Sequence, residues 1–62
     1  MATAAATFQA TWRPGRRVQE AGGRRRKGSI RTVAGAGVNA VIAVGLDGGP
    51  PAFFRPAQLI LL

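Results

Sequence analysis

Four cations stand in a row in this chain, Arg24-Arg25-Arg26-Lys27, directly after a Gly22-Gly23 hinge, with Arg13, Arg16 and Arg17 close by in sequence. A glycine-hinged run of this kind cannot enter a core: it is solvated, or it holds a polyanion. Arginine forks onto phosphate oxygens and stacks on bases, which lysine does poorly. Each phosphate neutralised releases a counterion and makes binding steeply salt-dependent. These seven residues are the expected nucleic-acid-binding set. Trp12 is the nearby candidate for a stacking platform, although a rim-packed core residue is the more ordinary role for it. The plain alternative for the run is a solvated loop whose charge aids solubility.

Other chemistry lacks its groups. The chain has no cysteine, histidine or tyrosine, and its carboxylates are Glu20 and Asp47 alone. That inventory removes disulfides, Ser-His-Asp catalysis and nearly every metal site. No catalytic residue, metal or cofactor is therefore expected, and the chain reads as a binding module and not an enzyme. Nine cations, eight of them arginine, leave a net charge of +7. Such an excess attracts nucleic acid, acidic lipid or an acidic protein surface, while a GC-rich genome would also supply arginine and alanine freely.

At 62 residues the chain makes one domain at most. A chain this short buries only about 60% of its unfolded surface, so association with a partner would help it. It has no run of apolar residues long enough to span a membrane as a helix. Its start lacks the basic segment of a secretory signal, and a cytoplasmic location is expected. The Ala-rich beginning shares the composition of an organellar transit peptide, but its arginines come only after Trp12, where the strand-like pattern starts. Three alanines in a row are too few to hold a helix alone in water. Residues 1–11 thus read as a flexible arm, disordered or lying on an edge, and residues 12–62 as the folded domain.

Strands must hold the loop. Arg13-Pro14-Gly15 is turn chemistry, and Arg16 to Glu20 reads as a short strand with Val18 pointing in. In a second strand, Gly28 to Val33, alternation puts Gly28, Ile30 and Thr32 on one face and Ser29, Arg31 and Val33 on the other. Glycine there lets the backbone coil sharply. Ala34 to Gly37 connects to a third strand, Val38 to Leu46, apolar on both faces as expected at the centre of a sheet. The Gly35/Gly37 pair reads as a turn only, since no helix follows it. Asp47-Gly48-Gly49 is a strong turn signal. Ala52 to Arg55 reads as a fourth strand, Pro56-Ala57-Gln58 as a 3₁₀ turn, and Leu59 to Leu62 as a fifth strand. The expected fold is all-β: a five-stranded SH3-like barrel with one 3₁₀ turn before the last strand.

Apolar residues remain that one small core cannot take. Phe53 and Phe54 point to opposite faces, so one belongs in the core and the other in an interface. Leu59 and Leu61 point one way and Ile60 and Leu62 the other. Phe53, Phe54, Leu61 and Leu62 are the expected interface residues, and self-association into a homo-oligomer is the simplest cover for them. Arg55 could pair with Asp47 or Glu20, or join a basic rim.

In layout the chain resembles the small plasmid-borne type II dihydrofolate reductases, over about residues 6 to 62. The matching features are an Ala6-Thr7-Phe8 arm, a Gly15-Arg16-Arg17-Val18 strand, a basic glycine-containing loop from Gln19 to Lys27, a Gly28-Ser29-Ile30 strand and a Pro56-Ala57-Gln58-Leu59 turn. The resemblance implies an SH3-like barrel and a homo-oligomer. That family's activity rests on a Val-Gln-Ile-Tyr motif lining a central pore, where this chain has Ala52-Phe53-Phe54-Arg55. With phenylalanine for glutamine and arginine for tyrosine, the ligand-orienting chemistry is missing. Three functions follow in order of preference: a nucleic-acid-binding module, a protein-interaction or structural assembly module, and a divergent reductase-like oligomer.

Overall fold

Val18, Ile30, Ile42, Val44, Leu46 and Leu59 form the core because strand alternation delivers all six to one side of a sheet. A computed structural model describes residues 3–62. Its strands are β1 (Arg17–Glu20), β2 (Lys27–Ala34), β3 (Val41–Leu46), β4 (Pro51–Phe54) and β5 (Leu59–Leu61). They form one antiparallel sheet in the order β4-β3-β2-β1-β5. The two outer strands do not pair with each other, so the sheet is open, an architecture compatible with a small SH3-like barrel. A 3₁₀ turn, Pro56–Gln58, precedes the last strand as expected, with proline at its start and the Gln58 side chain accepting from the Arg55 N–H at 2.9 Å.

Gly28 is fixed by space. A Cβ there would lie 2.5 Å from the Gly45 carbonyl oxygen and 2.8 Å from Val44 Cγ1, so no side chain fits between β2 and β3 at this point. Three residues on, the register shifts: Ile30 pairs with Val44, but Thr32 pairs with Ala43 and Val33 with Ile42. Arg31 is the extra residue of a β-bulge. The bulge overturns the expected alternation, turning Val33 to pack on the core and leaving Thr32 exposed.

Two further expectations change. The third strand begins at Val41, because Gly37–Asn39 form a 3₁₀ turn and Val38 stands 82% exposed. At the N-terminus, Ala4–Thr11 form a helix (α1) where the sequence suggested an arm without one; residues 1 and 2 lie outside the described residues. A cap, a ring stack along its own face and two tertiary contacts give the helix what its short length withholds. Thr3 caps it by accepting from the Ala6 N–H at 3.0 Å, and the Phe8 and Trp12 rings stack at 5.9 Å. Trp12 packs on the core, and Gln9 reaches the Gly35 carbonyl at 3.4 Å.

Candidate nucleic-acid interface

Glu20 organises the basic loop. Along β1 it shares a face with Val18, so its carboxylate points inward, and at 7% exposure it is the one buried charged residue among those described. An unpaired carboxylate would be costly there. The chain returns after six residues to satisfy it: Arg26 donates from Nη2 and Nε to Oε1 at 2.8 and 3.1 Å, and from its backbone N–H to Oε2 at 3.2 Å. The Glu20 N–H in turn donates to the Arg26 carbonyl at 2.9 Å. These bonds hold the Glu20 carboxyl below its ordinary range, the Arg26 side chain being the main cause, and raise the Arg26 guanidinium above its own.

The loop between those anchors is a tight turn. The Arg25 N–H donates to the Gly22 carbonyl at 3.2 Å, and Gln19 Nε2 holds the Arg25 carbonyl at 3.2 Å. Gly23 and Arg25 both adopt left-handed backbone, φ 61° and 52°. Glycine does so freely, whereas for arginine the conformation is uncommon. Beneath the loop lies an open groove of about 620 Å³, with Arg24 and Arg26 on one wall and Phe54, Ala57 and Gln58 on the other. A hydrogen bond from the Ala21 N–H to the Gln58 carbonyl, 2.8 Å, ties the two walls together.

The seven expected binding cations do not all converge. Arg24, Arg25 and Arg26 sit on the loop after β1, and Lys27 opens β2 opposite Gln19. Arg13 and Arg16 lie in the turn before β1, at its other end, where the Gly15 N–H meets the Ile30 carbonyl. Arg17 stands between, bound through both terminal nitrogens to the Asp47 carboxylate, with Nη1 to Oδ1 at 2.9 Å and to Ser29 Oγ at 3.1 Å. This pair lowers the Asp47 carboxyl and raises the Arg17 guanidinium, the hydrogen bonds being the larger cause of each. Arg17 and Arg26 are thus engaged within the molecule. Arg24, Arg25 and Lys27 are exposed and make no ion pair among the described residues. Arg55 pairs with neither carboxylate; its Nη1 donates to the Asn39 carbonyl at 3.1 Å.

The four expected interface residues are divided by the sheet. Phe54 and Leu61 lean on the core, while Phe53, 73% exposed, and Leu62, 50% exposed, face outward. Trp12 takes its ordinary role, its ring stacked on Phe8 and packed on the core. Sequence reasoning missed Glu20 and Arg31. The signal for Glu20 was its place two residues after Val18, hence on the inner face, with a cation on the far side of a Gly-Gly turn. Among the described residues no helix is long and apolar enough to cross a membrane, and no three His, Cys, Asp or Glu groups gather as a metal site would need. No family model matches the chain, and neither a curated protein nor a solved structure is significantly similar to it.

Proposed function

We propose that this chain binds nucleic acid through its phosphate backbone, with little sequence preference and without catalysis. The β1–β2 loop is the principal contact. One observation carries the reading: the buried Glu20 carboxylate, bonded to Arg26, holds the loop in a tight turn, while Arg24, Arg25 and Lys27 stay exposed and make no ion pair among the described residues. A loop whose backbone is already ordered has less entropy to lose when its cations meet a phosphate. Arg13 and Arg16, a strand's length away, extend the contact along the backbone.

The test is fluorescence anisotropy with mixed-sequence DNA and RNA over a salt series. Binding at low salt that weakens steeply as salt rises is expected, and the double variant Arg24→Ala/Arg25→Ala should reduce the slope of log K against log salt by about 2. No binding at low salt rejects the reading. A protein-assembly role is the second reading, favoured by the exposure of Ile60 and Leu62 on the last strand; an oligomer that dissociates on Leu62→Asp in light scattering would support it. Turnover of dihydrofolate with NADPH would favour the reductase-like oligomer over both.

A further inference from the structure

The outer face of the sheet, opposite the core, carries an arrangement that the loop does not explain. Phe53 on β4 is 73% exposed, whereas Phe54, Trp12 and Phe8 are partly buried and Trp12 and Phe54 lean on the core. Phe53 is paired across the sheet with Ala43, and Ala43 with Thr32. One row along, Pro51 pairs with Gly45, Gly45 with Ser29 and Ser29 with Arg17. The middle of this face is therefore lined by small residues, with an aromatic ring on one side and cations on the other.

Arg31 lies across that middle. It is the bulge residue of β2, and its stem covers Gly45: a Cβ at position 45 would come 3.2 Å from Arg31 Cδ and 3.6 Å from Nη1. Glycine thus leaves room for a long cationic side chain to lie down on the sheet. Arg31 makes no ion pair among the described residues. Lys27 stands on the same face beside Gln19 and leads directly into the arginine loop. Against Arg17, Lys27 and Arg31 the face sets one carboxylate, Asp47, already taken by Arg17.

An exposed ring that shares a face with Arg31 and Lys27, which make no ion pair among the described residues, suits a ligand that is both anionic and planar. We infer that this face takes unpaired bases of single-stranded nucleic acid, with one base stacked on Phe53 and the phosphates of the strand running across the sheet to Arg31 and on towards Lys27. Stacking on aromatic side chains is tolerant of sequence, because every base presents a π-face. A second copy of the chain suits the face poorly, since a two-fold contact would set these cations against their own images. A base pair inside a duplex offers no free face to the ring. This inference rests on the phosphate-binding reading and adds to it a preference for single strands.

The experiment measures anisotropy of labelled oligo(dT), a mixed-sequence duplex and inorganic polyphosphate with the full chain and with Phe53→Ala, Phe53→Trp and Arg31→Ala. Phe53→Ala should weaken oligo(dT) binding about tenfold, the loss of one stacked base, and leave polyphosphate binding unchanged. Phe53→Trp should restore it, with indole fluorescence quenched on binding. Arg31→Ala should weaken oligo(dT) as well. Circular dichroism checks that each variant keeps its fold. Equal affinity for duplex and single strand, with no effect of Phe53→Ala, overturns the stacking site and leaves the loop reading standing. Binding of none of the three polyanions overturns both. Light scattering that shows an oligomer dissolved by Phe53→Ala, with oligo(dT) binding intact, makes the face a homotypic contact and overturns the inference.

Discussion

The two faces of the sheet hold the same kinds of group to opposite ends. Each carries one arginine–carboxylate pair. On the inner face Glu20 is nearly sealed from solvent, its side chain 9% exposed, and Arg26 bends back over it to close a loop. On the outer face Arg17 and Asp47 meet at 45% and 56% side-chain exposure, in water that screens them. The faces also share a contrast in glycine. Gly28, inward, sits where a side chain would strike backbone, while Gly45, outward, makes room for the flexible stem of Arg31. The same chemistry builds structure where water is excluded and leaves groups available where it is not.

The largest break in this contrast is a cavity inside. Ile42 is wholly buried between Val33 and Phe54 in register. Ile42→Ala should lower stability by about 2–5 kcal/mol, enough in so small a domain to unfold much of it at 25 °C, read by urea denaturation followed by circular dichroism. Overfilling the same side comes next. Gly28→Ala should destabilise by about 1–3 kcal/mol, whereas Gly45→Ala should be milder because Arg31 can swing aside. A Gly45→Ala effect as large as that of Gly28→Ala would show the two faces to be equally rigid.

The ion pairs sharpen the contrast further. Glu20→Gln should loosen the loop, seen as faster amide exchange at Arg26, and should lower the unfolding midpoint. The Glu20 carboxyl binds its proton less tightly folded than unfolded, so its contribution is complete at neutral pH. It is lost as pH falls from about 4, the ordinary carboxylate range, through the folded-state value. Wild-type stability should therefore fall in acid with a steeper limb than that of Glu20→Gln. The smallest effect belongs to the exposed pair. Asp47→Asn should scarcely move the midpoint at neutral pH, yet by freeing Arg17 it should tighten oligonucleotide binding at low salt. A midpoint shift matching that of Glu20→Gln would erase the distinction between the pairs.

Much of the fold was legible. Branched and aromatic residues between Gly- and Pro-rich joints marked the strands, with the third drawn three residues too long, and Pro56 marked the 3₁₀ turn, because these are local preferences of the backbone. What misled was tertiary in origin. Ala4–Thr11 are a helix because Trp12 docks on the core and Gln9 finds a carbonyl far along the chain, contacts that helix propensity does not contain. The candidate site was half legible. The arginine run stands out in any reading, yet which of its members stay free depended on partners distant in the chain, Asp47 being 30 residues from Arg17.

Composition and alternation alone settled that this chain is a small β-structure with a large cationic excess and few groups for catalysis, since residue type and period-two spacing need no knowledge of neighbours. Only the folded chain decided which cations are occupied and that Glu20 is the loop's anchor. It alone laid Arg31 over a glycine on the face that carries an exposed ring. Those outcomes turn on strand pairing and on one bulge. Pairing joins residues far apart in sequence, and a single extra residue reverses which face the rest of its strand meets.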